Sequence, residues 1–197
     1  MTAICGSDLM AALCPVLVTL ERRRVRHFIG GSVASSAHGI ARASLNVDVV
    51  AELEPIHVTR LVAGLDADYF VDEARVRAAV AQKRSFNRIQ LATMFKVDVF
   101  VSRGRPFDHS AFARASVERI GQEPAGPGIP LASAEDVLLA KLEWYRSGGE
   151  TSERQWEDVK GVLRVGAETL DLAYLRHWVL LIGVADLLER ARRDSET

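Results

Sequence analysis

The chain has 197 residues, 48% of them hydrophobic and 26% charged, with a formal net charge of −1. That is enough apolar material for one generous core, or for a small domain with a helical appendage, and it excludes an intrinsically disordered chain. The near-neutral balance excludes the broad basic field that extended duplex nucleic-acid binding needs and leaves room only for a local patch.

Leu9, Leu13, Val16, Leu17 and Leu20 recur at helical spacing and predict an amphipathic first helix that Pro15 can kink or divide. The apolar run over residues 9–20 is too short to span a bilayer and follows Asp8 instead of a basic stretch, so neither an anchor nor a signal peptide is expected. Cys5 and Cys14 have no His partners and no CxxC spacing, which argues against a zinc site or a disulfide framework and suits a reducing, cytoplasmic compartment. Arg22, Arg23, Arg24 and Arg26 form the one dense basic cluster, which reads as a solvated helix end where cations complement the dipole.

Residues 28–50 carry the strongest functional signal. A strand over residues 27–29 runs into Gly30 and Gly31, which allow a tight turn and close backbone approach, and Ser32 opens a short helix whose first amides lack internal partners. Such a helix start is a phosphate seat. The helix ends near His38 and Gly39, where glycine can take a left-handed cap and His38 a structural role. A second strand over residues 45–53 puts Asn46 and Asp48 on one face, roughly 6 to 7 Å apart.

Pro55 opens a further helix with Ile56, Leu61, Val62 and Leu65 inward, and Asp72 caps the next. Two strands, over residues 86–93 and 95–101, form a hairpin that carries Asp98, with Met94 and Phe95 expected in the core. A short helix over residues 108–115 and an edge strand over 117–122 follow. The Pro- and Gly-rich segment 123–130 is the strongest punctuation, so it reads as a linker between an α/β domain, residues 1–122, and a helical bundle, residues 131–197. In the second half Ser133, Ser152 and Asp171 are cap signals for successive helices, and Gly183 separates the last two. Trp144, Trp156 and Trp178 read as core or helix-interface residues, and Arg146 and Asp158 as a salt bridge between adjacent helices or as substrate contacts.

Two acids at alternate positions of a strand, with a third on a later strand, can hold two metal ions about 3.5 to 4 Å apart against a triphosphate. The glycine-serine turn, the strand of Asn46 and Asp48, and Asp98 on a later strand therefore resemble the nucleotidyltransferase superfamily, with Asn46 standing where the pattern has its first acid. The runs from Lys141 to Arg146 and from Arg154 to Asp158 look like helical motifs of bacterial nucleotidyltransferase-like proteins related to the abortive-infection (AbiEii-type) toxins.

The resemblance implies an α/β fold, a nucleotidyltransferase-like mixed β-sheet with flanking helices, followed by a C-terminal helical bundle. It implies a nucleoside triphosphate with magnesium as ligand, and a protein or RNA hydroxyl as acceptor. Asp48 and Asp98 would be the catalytic metal ligands with Asn46 a poor third, so transfer is expected to be weakened; the other expectation is an inactive nucleotide- or partner-binding module of a toxin-antitoxin or phage-defence system. Gly30, Gly31 and Ser32 would hold the phosphates, Arg42 and Ser44 would touch them or order their loop, and Lys141 would face them with Asp158 beside it.

Overall fold

The alternation of β-branched and polar residues along two segments, each about six residues long, sets the sheet at the centre of the fold. In a computed structural model of the chain the described residues are 6–42, 44, 46–65, 69–70, 72–91, 94–119 and 128–195. Cys5, Leu45, the end of the expected first hairpin strand at residues 92–93, the end of the expected edge strand at 120–122 and the segment 123–127 lie outside them. The chain divides into two compact units, one of Met1–Gly30 with Ala43–Leu131 and the other of Gly31–Arg42 with Ala132–Thr197.

The first unit holds α1 (Gly6–Arg22) and β1 (His27–Ile29); α2 (Gly31–His38) belongs to the second. Then come β2 (Asn46–Ala51), a 3-10 turn (Pro55–His57), α3 (Val58–Ala63), β3 (Tyr69–Phe70), α4 (Glu73–Ala81), β4 (Ser85–Gln90), β5 (Lys96–Val101), α5 (Pro106–Arg114), β6 (Ser116–Arg119) and β7 (Gly128–Leu131). The strands make one seven-stranded sheet in the order β3-β4-β5-β2-β1-β7-β6. β2 runs parallel to β5 and antiparallel to β1, while β4 runs antiparallel to β5. On one face Val47, Val49, Ala51, Val97, Val99 and Val101 are buried; on the other, Asn46, Asp48, Lys96 and Asp98 are half-buried. The apolar stripe of α1, with Leu9, Leu13 and Leu20, is buried as well, each such leucine contributing about 2 kcal/mol. α1 continues through Pro15 as one helix.

The second unit is helical: α2, then α6 (Ala134–Ser147), α7 (Glu153–Val165), α8 (Leu172–Ile182) and α9 (Ala185–Ser195). Ser133 accepts from the Asp136 amide, Ser152 from the Gln155 amide and Asp171 from the Tyr174 amide, so each expected cap satisfies a helix-start donor. Gly183 ends α8 at φ 74, a left-handed cap. No described helix is long and apolar enough to cross a membrane.

Several expectations need correcting. The end of the punctuated segment is strand, not linker: β7 pairs in parallel with β1 at Ile29 and Leu131 and antiparallel with β6. β7 is therefore an inner strand, flanked by β1 and β6, and Pro130, opposite Val117, is the one residue of it with no amide to give to a ladder. Gly39 does not take a left-handed cap; a Cβ there would lie 2.9 Å from the Ser35 carbonyl oxygen and 2.9 Å from the Val162 amide, so glycine serves close approach to α7. Met94 is exposed in the turn after β4 with φ 57, and Trp144 is half exposed.

Candidate functional site

In the first unit the parallel pairing of β2 and β5 brings Asp48 opposite Asp98 and Asn46 opposite Lys96. Paired residues on adjacent strands point to the same face, so the four side chains form a square on the polar face of the sheet. Asn87 of β4 stands in register on the other side of Asp98. The Lys96 ammonium lies 2.9 Å from Asp98 Oδ1, and the Asn46 amide nitrogen donates to Asp98 Oδ2 at 3.3 Å. Asn46 Oδ1 accepts from the Ser44 hydroxyl at 3.0 Å.

That arrangement answers the sequence expectation for Asn46. A neutral amide beside a carboxylate turns its hydrogens toward the charge, so Asn46 presents a donor to Asp98, and its own oxygen is taken by Ser44. Among the described residues no group of three or more His, Cys, Asp and Glu side chains could hold a metal ion. Two register-paired carboxylates fit a single magnesium ion whose remaining ligands are phosphate oxygens and water, because magnesium is commonly held by one or two carboxylates plus substrate phosphates. They do not fit the second ion of a two-metal site, since Asn46 brings no charge and Lys96 competes for Asp98. Lys96 was missed in the sequence, although its place two residues before Asp98 on one strand face was the available signal.

The second unit holds the other expected residues. Gly31 starts α2 at φ 57, a left-handed conformation that glycine adopts without penalty, and Gly30 donates its amide to the Asp48 carbonyl at 2.9 Å within the first unit. Arg42 forks onto Asp158, with Nε to Oδ1 and Nη2 to Oδ2 both at 2.7 Å, and Nη2 also donates to the Ser32 hydroxyl at 3.1 Å. Lys141 Nζ donates to Asp158 Oδ2 at 2.7 Å. Arg154 Nη2 reaches the Ser32 hydroxyl at 3.3 Å.

Ser32 is thus met by two guanidinium groups at a helix start, and the cluster holds three cations to one carboxylate. Asp158 is buried, which raises its pKa, but the hydrogen bonds and charges of Arg42 and Lys141 outweigh burial and hold the carboxyl below its ordinary value. Lys141 is itself buried on this carboxylate and is not a plain surface lysine. Arg146 does not pair with Asp158; its guanidinium meets Asp186 at 2.6 Å. His38 Nε2 bonds the Ala132 carbonyl at 2.7 Å, a structural tie at the end of α2. Arg154 had no assigned role in the sequence reading; its signal was the four-residue spacing to Asp158, which puts both on one face of α7.

Comparison with protein-family models and with curated proteins gives no match to this chain. Solved structures do match. An antigenic nucleotidyltransferase-like protein from Paracoccidioides brasiliensis superposes with a TM-score of 0.55 at 15% identity, over 95% of this chain and 93% of its own. The antibiotic-resistance factor ANT(2'')-Ia in solution gives 0.53 at 13% identity, over 89% and 96% of the two chains. The same factor in complex with adenylyl-2''-tobramycin gives 0.52 at 15%, over 87% and 99%. At these identities the likeness is one of fold, and the fold is nucleotidyltransferase-like.

Proposed function

We propose that this chain uses its nucleotidyltransferase fold to bind a nucleoside triphosphate with magnesium, and that it passes the nucleotidyl group to a protein or RNA hydroxyl at a rate limited by Asn46. The observation that carries the reading is the register pairing of Asp48 with Asp98, which makes a two-carboxylate ligand set from strands far apart in sequence. Magnesium held there would offset phosphate charge and help align the reacting phosphoryl group.

The chain's own residues do the rest. Ser32 and the first amides of α2 seat phosphate oxygens, with Arg42 and Arg154 supplying charge, while Asp158 fixes Arg42 and Lys141 in place. Asn46 cannot supply the third carboxylate and binds Asp98 instead, so activation of the acceptor hydroxyl suffers more than nucleotide binding. The presence of adenylyl-2''-tobramycin in one structural neighbour supports a hydroxyl as the acceptor group.

The Lys96 contact to Asp98 favours a second reading, a nucleotide-binding module without transfer that works with a partner in a toxin-antitoxin or phage-defence system. Labelling with a nucleoside triphosphate carrying a radioactive α-phosphate separates the two. The first reading expects weak magnesium-dependent labelling that is lost in Asp48→Ala and rises about tenfold or more in Asn46→Asp, which restores a carboxylate ligand. Retained nucleotide binding with no labelling in any variant supports the second. Labelling that is indifferent to Asp48→Ala removes the first.

A further inference from the structure

Away from both groups of residues just described, Arg22 ends α1, and Arg23 and Arg24 follow it in the turn. With Ile56, His57 and Arg60, contributed by the 3-10 turn and α3, they line a hollow of about 270 Å³ within the first unit. No carboxylate lines it, and among the described residues no side-chain hydrogen bond or ion pair holds any of the four guanidinium groups. The Glu54 amide donates to His57 Nδ1 at 3.1 Å, which leaves Nε2 as the ring's donor.

A neighbouring hollow of about 490 Å³ shares Arg24 and His57 but is lined also by Glu52 and Glu54. There Glu52 meets Arg26 at 3.4 Å and His109 at 3.5 Å, so charge is compensated. The smaller hollow has no such carboxylate among its lining residues. Like charges converging in one concavity repel, and a chain with a formal net charge of −1 has no general surplus of cations to place. Arg24 also sits at φ 56, the position after a helix where glycine is usual, at a cost of about 1 kcal/mol.

We propose that this hollow is a binding site for linked phosphate groups, taken from a single-stranded RNA backbone or from a free polyphosphate chain, with Arg22, Arg23, Arg24, Arg60 and His57 as donors. Guanidinium groups match phosphate oxygens in geometry as well as charge. No Phe, Tyr or Trp lines the hollow, and its one ring, the His57 imidazole, is held edge-on by the Glu54 amide, so guanidinium donors dominate the lining and the site reads phosphates without reading bases. Binding there is independent of sequence and falls steeply with salt. The site does not depend on nucleotidyl transfer.

The test is titration of the full chain with a fluorescein-labelled single-stranded oligoribonucleotide, followed by competition with inorganic tripolyphosphate, across a range of salt. The double variant Arg24→Gly with Arg60→Gln should weaken binding by about tenfold or more and flatten the plot of log affinity against log salt by about 1 per arginine removed. The double variant Arg176→Gln with Arg192→Gln removes the same charge elsewhere and should stay close to the parent. Arg24→Gly alone should melt no lower than the parent, because glycine accepts that φ, so its loss of affinity is not unfolding. Displacement by tripolyphosphate, or its binding alone, assigns the site to a phosphate chain; oligonucleotide binding that tripolyphosphate cannot displace assigns it to the RNA backbone. Failure of both probes to bind, or equal loss in the two double variants, overturns the proposal.

Discussion

Two buried ionisable side chains set the residue-scale behaviour, and they act in opposite directions. Asp158 is stabilised in its charged form by Arg42 and Lys141, so Asp158→Asn leaves two cations with no counter-charge and should cost about 3 kcal/mol in urea unfolding near neutral pH. Its folded-state pKa lies below the unfolded value, so its contribution is complete above the ordinary aspartate range and lost as pH falls through the lowered value. The variant should therefore lose less stability than the parent as pH is taken down into that range. Arg88 is the reverse case. Its guanidinium is fully buried on the apolar face of β4, with Nε, Nη1 and Nη2 lacking a hydrogen-bond partner, and burial lowers its pKa to about 10. The Phe86 ring 5.3 Å away offsets only part of that cost. Since the folded pKa is below the unfolded one, the penalty is full below pH about 10 and fades above it. Arg88→Met should raise the melting temperature at pH 7, and the gap between variant and parent should narrow as pH passes that value; a variant that melts lower would show that the guanidinium is satisfied in solution.

At the scale of elements, the contact of α2 with α7 depends on absent side chains. A Cβ at Gly39 would meet the Ser35 carbonyl oxygen, the Val162 amide and the Gly161 carbonyl carbon at 2.9, 2.9 and 3.0 Å, all backbone atoms that cannot turn aside. Gly39→Ala must push the two helices apart, at about 1 to 3 kcal/mol. Because Ser32 on α2 is met by Arg154 on α7, the same variant should weaken nucleotide binding, read by fluorescence of a labelled nucleotide. Gly104 gives the contrast: a Cβ there meets nothing within 4 Å, so alanine costs only the left-handed φ of 72 and should leave nucleotide binding unchanged. β2 and β5 are fixed differently, by a ladder in which a one-residue slip of either strand would bury its aspartate, Asp48 or Asp98, and expose that strand's valines.

For the whole molecule, the division into units differs from the one that composition suggests. The helical unit recruits Gly31–Arg42 from the N-terminal half, and Arg42 supplies two of the hydrogen bonds to Asp158. A fragment of residues 131–197, cut where the sequence reads as a boundary, loses α2 and that arginine and leaves the Asp158 and Lys141 pair partly open. Its circular dichroism should show a broad, non-cooperative melt, and a sharp transition like that of the full chain would contradict the division. Mixing the fragment with a peptide of residues 31–42 should sharpen the melt if those residues complete the unit.

Local chemistry was legible in the sequence: the caps at Asp72, Ser133, Ser152 and Asp171, the helix break at Gly183, and the alternation that puts Asn46 with Asp48 on one strand face. Each follows from interactions within a few residues, which composition and period encode directly. Pairing across the sheet and across the chain was not. That Asp48 and Asp98 meet was expected only through the family resemblance; that Lys96 and Asn46 occupy the oxygens of Asp98, that residues 128–131 enter the sheet, and that Lys141 turns onto Asp158 are settled by which distant segments become neighbours. A carboxylate's partners are whatever cations the fold brings within about 3 Å, so the residues of this site could be named from their order, but their charge state and their freedom to bind a ligand were decided only when the chain closed on itself.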